Sequence, residues 1–107
     1  QVIDSVKGYV TANFKDPDLS LTSAAEHASV STGYLSGLFK KETGKTFISF
    51  LTDYRMDIAA DLMINTNDKS YTIAEKVGYP DANYFSYVFK KRFGVSPSKY
   101  RTKYLQK

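Results

Sequence analysis

Residues 34–44 read YLSGLFKKETG, and residues 84–94 read YFSYVFKKRFG. At a fixed offset of 50 and without a gap, the similarity extends over 21–50 and 71–100, with Tyr-x-Ser-x-x-Phe-Lys-Lys-x-x-Gly in both copies. Self-similarity of this kind indicates a supersecondary unit that occurs twice. Because each copy carries a Lys-Lys pair ahead of a Gly, we expect one protein that grips the same kind of ligand at two places. The obvious repetitive ligand is a nucleic acid duplex.

Local signals divide the first copy into two short helices. Ser20 and Ser31 are natural N-caps, because a serine oxygen accepts a hydrogen bond from the N–H groups that open a helix. Gly44 is a natural helix end, since glycine adopts the left-handed conformation easily. Only Ser29 and Val30 separate the two predicted helices. So short a turn predicts a helix-turn-helix over about 20–44.

The second copy predicts the same unit over about 72–94. Thr72 and Glu75 are spaced as in a capping box, and Asp81 can cap the helix that follows. Gly78 lies where the turn requires a permissive backbone. Pro97 fits the first turn of a closing helix over about 96–104.

The rest of the chain also follows a helical period. A first helix is predicted to end before Asp16, and a long helix over about 46–65 joins the two units. At ~1.5 Å per residue this connector is roughly 30 Å long, close to the ~34 Å between successive major grooves on one face of B-DNA. With no strand pattern, residues 1–107 are expected to form one all-α domain of about seven helices. The connector's apolar stripe is expected to be a core shared by both units: Phe47, Phe50, Leu51, Tyr54, Ile58, Leu62 and Met63.

Composition limits the chemistry that the chain can perform. It has no Cys and one His, His27, so neither thiolate ligands nor most His-based metal sites are available. We expect no catalytic residue, no metal and no cofactor. No run of ~18 apolar residues and no signal-peptide pattern occurs, which favours a soluble, cytoplasmic protein without membrane contact.

The net charge of +4 is unevenly distributed along the sequence. Residues 1–70 hold seven Lys/Arg and nine Asp/Glu, a net −2, whereas 71–107 hold eight and two, a net +6. The positive potential is therefore expected on the second copy and the tail.

These segments, with IAEKVGY at 73–79 and the closing SPSKYR at 96–101, resemble the DNA-binding domain of the AraC/XylS family of bacterial transcription regulators, especially the output domains of two-component members. The resemblance covers about 2–104. It implies two helix-turn-helix units whose second helices enter major grooves of double-stranded DNA, activation of transcription through RNA polymerase, and control by a separate domain. Since Gln1 is not an initiator Met, we expect that domain on the N-terminal side.

The outward faces of the two predicted recognition helices supply the candidate DNA contacts. Leu35, Leu38 and Phe39 are expected to be buried, which leaves the opposite face for DNA. Lysines near a helix end favour the helix dipole and can also contact phosphates. The candidates are Thr32, Gly33, Ser36, Gly37, Lys40 and Lys41 in the first unit, Ala82, Asn83, Ser86, Tyr87, Lys90, Lys91 and Arg92 in the second, and Arg101 in the closing helix.

Two positions depart from the family pattern. Relatives commonly carry Arg where this chain has Gly37 and Tyr87, and Arg paired to guanine is the commonest specific base contact. Asn83 is then the best candidate for direct readout, because its amide can form two hydrogen bonds with adenine; alternatively, it caps its helix with Asp81. Arg55 is expected to be a structural ion-pair residue.

Two other functions stay open at this point. A helical protein-interaction module would account for 16 Tyr and Phe residues, but not for the recurring Lys-Lys pair. The DNA-targeting part of a DNA-repair enzyme would carry the same binding unit with its catalytic part elsewhere. An acidic ridge at Asp53, Asp57 and Asp61 is expected to face away from DNA, either solvated or in contact with polymerase or a regulatory domain.

Overall fold

Seven α-helices and no strand make up residues 1–105, the part of the chain that this computed structural model describes. The all-α prediction is confirmed. The chain divides into two compact units, residues 1–52 and residues from 53 onward, and the boundary falls inside α4. The helices are α1 (Val2–Asn13), α2 (Leu21–His27), α3 (Thr32–Thr43), α4 (Phe47–Asn65), α5 (Ser70–Lys76), α6 (Ala82–Phe93) and α7 (Pro97–Leu105).

In the first unit, α1 packs against α2 and α3, and α2 packs against α3. The Ser20 hydroxyl accepts from the Ser23 N–H at 3.1 Å, and the Ser23 hydroxyl accepts in return from the Ser20 N–H at 2.9 Å. The Ser31 hydroxyl caps α3 by accepting from the Tyr34 N–H at 3.1 Å, and Gly44 ends the helix with φ 79°. All three sequence signals are confirmed. They fix both ends of α3 on a core that includes Val6, Val10, Leu35 and Phe39.

In the second unit, α6 packs against α5 and α7. The buried rings of Phe85 and Phe89 lie one turn apart on α6. The Phe89 ring meets Tyr100 of α7 edge-on, with centroids 5.3 Å apart. Asp81 caps α6 and Gly94 ends it with φ 82°, as predicted. Pro97 opens α7, also as predicted.

The predicted capping box at the start of α5 is wrong. The helix begins at Ser70, so Thr72 is its third residue rather than its cap. The N-cap is Lys69, which has no side-chain oxygen and makes no side-chain capping bond. A Thr followed three residues later by Glu has the spacing of a capping box, but here it falls within the first turns of a helix that begins earlier.

The gap-free alignment of the two copies is also wrong for their first helices. The Val30 N–H donates to the Ala25 carbonyl at 3.0 Å, and the Tyr79 N–H donates to the Ala74 carbonyl at 2.8 Å. These equivalent turn bonds are offset by 49 residues, as are α2 and α5, whereas α3 and α6 are offset by 50. The second turn therefore holds one additional residue, Pro80.

Both turns require a left-handed residue just after the first helix. Ser29 takes this conformation in the first unit with φ 59°, and Gly78 takes it in the second with φ 96°. The prediction for Gly78 is confirmed. Ser29 is the one non-glycine residue with positive φ among residues 1–105, and a non-glycine residue pays a steric cost there.

The apolar stripe predicted for α4 is only partly correct. Phe47, Leu51 and Met63 are buried, but Phe50, Tyr54, Ile58 and Leu62 are half-buried. The second half of the helix buries a different set instead: Arg55, Met56, Ala59 and Ala60. Ala59 and Ala60 were absent from the predicted stripe because that prediction included only large apolar side chains. No helix among residues 1–105 is long and apolar enough to cross a membrane.

Candidate nucleic-acid interface

The solvent face of α3 combines small residues with one aromatic ring, Tyr34, and a lysine pair. Leu35 and Phe39 are buried and Leu38 is half-buried, so the packed face agrees with the prediction. All six predicted contact residues of this unit are exposed: Thr32, Gly33, Ser36, Gly37, Lys40 and Lys41. Apart from Tyr34, the exposed side chains at the N-terminal end of this face are short, and its C-terminal end carries two lysines.

Neither glycine of α3 is required by the fold. A methyl group added at Gly33 or Gly37 would meet no neighbouring atom within 4 Å, and neither residue has a positive φ. Glycine inside a helix costs about 1 kcal/mol relative to alanine. The two glycines thus leave the backbone of α3 accessible, but they destabilise the helix.

The solvent face of α6 is more varied. Asn83, Tyr87, Lys90 and Lys91 are exposed, whereas Ala82 and Ser86 are half-buried. Asn83 and Tyr87 are four residues apart and therefore lie on one face of the helix. This face can offer an amide and an aromatic ring side by side, with two ammonium groups in the last turn.

The alternative role of Asn83 as a cap is excluded by the geometry of the helix start. The Asp81 carboxylate accepts from the backbone N–H groups of Asn83 at 2.9 Å and Tyr84 at 3.2 Å. The cap is therefore Asp81 alone. Asn83 is exposed, and within residues 1–105 its side chain makes no hydrogen bond, so its amide is accessible to a ligand.

Sequence reasoning missed two exposed tyrosines, Tyr34 and Tyr84. Each lies in the first turn of its helix with 56% of its surface exposed. The Tyr84 ring lies beside that of Tyr87, with centroids 6.3 Å apart and planes inclined by 29°. A signal was present, because Tyr is identical in both copies at a position that the helical period places outside the core.

Arg92, which was predicted to contact DNA, is exposed and forms two ion pairs with α4. Its guanidinium donates to the carboxylates of Asp53 at 3.1 Å and Asp57 at 2.8 Å. The hydrogen bond to Asp57 raises the pKa of Arg92 above its ordinary value, although desolvation opposes the shift. Two of the three members of the acidic ridge, Asp53 and Asp57, are thus paired with a cation.

Arg101 also has partners within the second unit. Its Nε donates to the Met63 carbonyl at 2.7 Å, and one terminal nitrogen donates to the Thr66 carbonyl at 3.0 Å. Carbonyls at a helix C-terminus lack partners within the helix. Arg101 therefore satisfies the end of α4 from α7, and its contact with DNA stays a prediction.

Arg55 is buried as a structural residue. Only 7% of its surface is exposed, and its guanidinium lies 5.4 Å from the centre of the Tyr79 ring.

Among residues 1–105, no group of three or more His, Asp or Glu side chains is arranged to hold a metal ion.

Comparison with known proteins places this fold in a family. Residues 24–103 match a family described as "Helix-turn-helix domain". The C-terminal domain of AraT, a response regulator from Geobacillus stearothermophilus, is 43% identical, with a TM-score of 0.93 over 95% of this chain and 84% of that one. The chain belongs to the AraC/XylS family.

Further comparisons agree with this assignment. The arabinose operon regulatory protein of Escherichia coli K12 is 36% identical over 93 residues, which are 87% of this chain and 32% of that protein. The DNA-binding domain of AdpA, solved with a target DNA, shares the fold at 20% identity, with a TM-score of 0.87 over 92% of this chain and 88% of that one. The chain spans a quarter to a third of the curated relatives' length.

Proposed function

We propose that this chain binds double-stranded DNA sequence-specifically in bacterial transcription regulation, with α3 and α6 as its two recognition helices. One observation carries the proposal. Each unit exposes its second helix, and each exposed face ends in a lysine pair at the same register. In helix-turn-helix proteins this helix lies in the major groove and its N-terminal residues contact base edges.

Charge and size support the same function. Lys40, Lys41, Lys90 and Lys91 are all exposed, so they are available to neutralise phosphates. The α4 helix has 19 residues and is about 28 Å long, comparable to one turn of B-DNA. We propose that both units contact successive major grooves of the same duplex.

Regulation belongs to the same proposal. The curated relatives are regulators, and their lengths are more than two and a half times that of this chain. We propose that the chain is the output domain of a cytoplasmic regulator with a linked N-terminal regulatory domain, and that it acts on RNA polymerase. No catalytic step is assigned to it.

Binding of a selected duplex by lysine variants tests the proposal. Sites are first selected from a random duplex library, and the dissociation constant is then measured by fluorescence anisotropy. Lys40→Ala/Lys41→Ala and Lys90→Ala/Lys91→Ala should each weaken binding and flatten its salt dependence, because fewer counterions are released.

A matched control removes two lysines away from α3 and α6. Lys15→Ala/Lys69→Ala changes the net charge equally and should change affinity much less. Equal losses of affinity in all three variants would mean that binding depends on net charge alone. Binding to duplex DNA that is unselective or undetectable would refute the proposed function.

A further inference from the structure

We propose that the second unit reads A·T base pairs, through Asn83, Tyr84 and Tyr87, and makes no arginine contact to guanine. This inference rests on the proposed function, since it names the bases that the same surface recognises. It follows from where the chain's arginines lie and from what the exposed face of α6 offers in their place.

Every arginine of the protein is occupied within the second unit. The chain has three: Arg55, Arg92 and Arg101. Arg55 is buried beneath Tyr79, Arg92 bridges Asp53 and Asp57, and Arg101 bonds two carbonyls at the end of α4. Bidentate pairing with guanine requires two N–H groups of one guanidinium. Releasing Arg101 would leave part-buried carbonyls unsatisfied, and releasing Arg92 would break both of its ion pairs.

Two kinds of group remain at the N-terminal half of α6, the half that approaches base edges. The Asn83 amide can form two hydrogen bonds with the edge of adenine: its N–H₂ donates to N7, and its oxygen accepts from the N6 amino group. Tyr84 and Tyr87, with 56% and 61% of their surfaces exposed, offer aromatic surface. The complementary apolar feature of the major groove is the C5-methyl group of thymine.

The spacing brings these groups together. Tyr87 lies four residues after Asn83 and three after Tyr84, and its ring already lies against Tyr84. An adenine and a nearby thymine can therefore be met from one helix face. Lys90 and Lys91 belong to the last turn, where the distance from the helix start suits phosphates rather than the same base pairs.

The first unit cannot provide the same readout. The positions that correspond to Asn83 and Tyr87 are Gly33 and Gly37, which have no side chain. Tyr34 corresponds to Tyr84 but has no ring beside it at position 37. We therefore assign most of the base selectivity to α6 and a close backbone approach to α3.

Base analogues test the assignment one atom at a time on the selected duplex. Deoxyuridine in place of thymine removes the C5-methyl group, and 7-deazaadenine removes the N7 acceptor. Loss of one buried methyl should weaken wild-type binding about fourfold. Loss of N7 should weaken it by roughly five- to tenfold, since one of two hydrogen bonds is lost.

Variants assign each effect to a side chain. Tyr87→Ala should abolish the difference between thymine and deoxyuridine, and Tyr87→Phe, which keeps the ring, should retain it. Asn83→Ala should abolish the sensitivity to 7-deazaadenine. Tyr71→Ala is the matched control, because Tyr71 is 64% exposed on α5; it should leave both ratios unchanged. Circular dichroism verifies that each variant is folded.

The outcomes separate this inference from the proposed function. A selected site rich in guanine, weakened by 7-deazaguanine and indifferent to deoxyuridine, would overturn A·T readout while leaving DNA binding intact. Base-analogue effects that persist in Tyr87→Ala and Asn83→Ala would also overturn it. Failure to bind any selected duplex would instead refute the proposed function itself.

Discussion

The polar side chains of this protein divide according to how far away their partners lie in the sequence. The outward positions of α3 and α6 follow from the helical period of their own residues, so their exposure was predictable. The partners of Arg92 lie 39 and 35 residues away, and those of Arg101 lie 38 and 35 residues away. No local pattern indicates such pairs. The sequence shows that both residues are cationic, which suits a DNA contact, but it does not show the distant partners that they bind in the structure.

Replacing Arg101 should destabilise the second unit. In Arg101→Met the carbonyls of Met63 and Thr66 lose their donors, and each unsatisfied acceptor costs about 1–3 kcal/mol if it stays buried. Urea unfolding should show a lower free energy of unfolding by at least ~1 kcal/mol. Lys99→Met, on the exposed face of the same helix, serves as the control and should be nearly neutral. Equal stability of the two variants would contradict the structural role of Arg101.

Alanine at the glycines of α3 should stabilise the fold. Gly33→Ala and Gly37→Ala add a methyl group that meets nothing and should each raise the free energy of unfolding by up to ~1 kcal/mol. Thermal unfolding measures the gain. If α3 approaches DNA closely, the same variants should bind the selected duplex more weakly despite greater stability. A loss of stability would mean that these positions are less open than the structure shows.

At the scale of the elements, a helix end could be predicted where a single capping residue marks it. It could not be predicted where the true N-cap carries no capping side chain. Ser20, Ser31, Gly44 and Gly94 act as expected because a cap depends on its own side chain or backbone conformation. The start of α5 was misplaced, since Lys69 gives no capping signal and Thr72 gives a false one. The additional residue in the second turn was hidden by chance identities at the gap-free offset.

A serine at position 69 should supply the cap that α5 lacks. Lys69 has φ −64° and ψ 152°, close to the −74° and 157° of Ser31, which does cap its helix. We therefore expect Lys69→Ser to raise the free energy of unfolding by about 0.5–1 kcal/mol. Chemical denaturation measures the change.

Two comparisons control this prediction. Asp81→Ala removes an existing cap and should cost about 1 kcal/mol, whereas Thr72→Ala changes a residue inside the helix and should cost less. A large loss at Thr72 together with no gain at Lys69 would restore the helix start that the sequence favoured.

At the scale of the whole molecule, the difference in net charge between the two structural units is smaller than that between residues 1–70 and 71–107. Divided at the structural boundary, the first unit has five Lys/Arg and five Asp/Glu, a net charge of zero. The second has ten and six, a net charge of +4. The second unit therefore still attracts a polyanion more strongly, although its three arginines are engaged by partners within that unit.

The second unit should contribute more of the nonspecific affinity. Lys90→Ala/Lys91→Ala should weaken binding to random-sequence duplex more than Lys40→Ala/Lys41→Ala, because the remaining field around α3 is weaker. Titrations at low and moderate salt compare the two variants. The reverse order would contradict the assignment of the dominant positive potential to the second unit.

The salt dependence of binding to the best selected duplex tests most directly whether both helix-turn-helix units contact the same DNA. If both units contact phosphates through about six to eight contacts, the slope of log K against log salt should be roughly −5 to −7. The selected site should then have two parts whose centres lie about one helical turn apart. A slope of magnitude below ~2 with a single short motif would mean that only one helix-turn-helix engages DNA, which would contradict binding through both units.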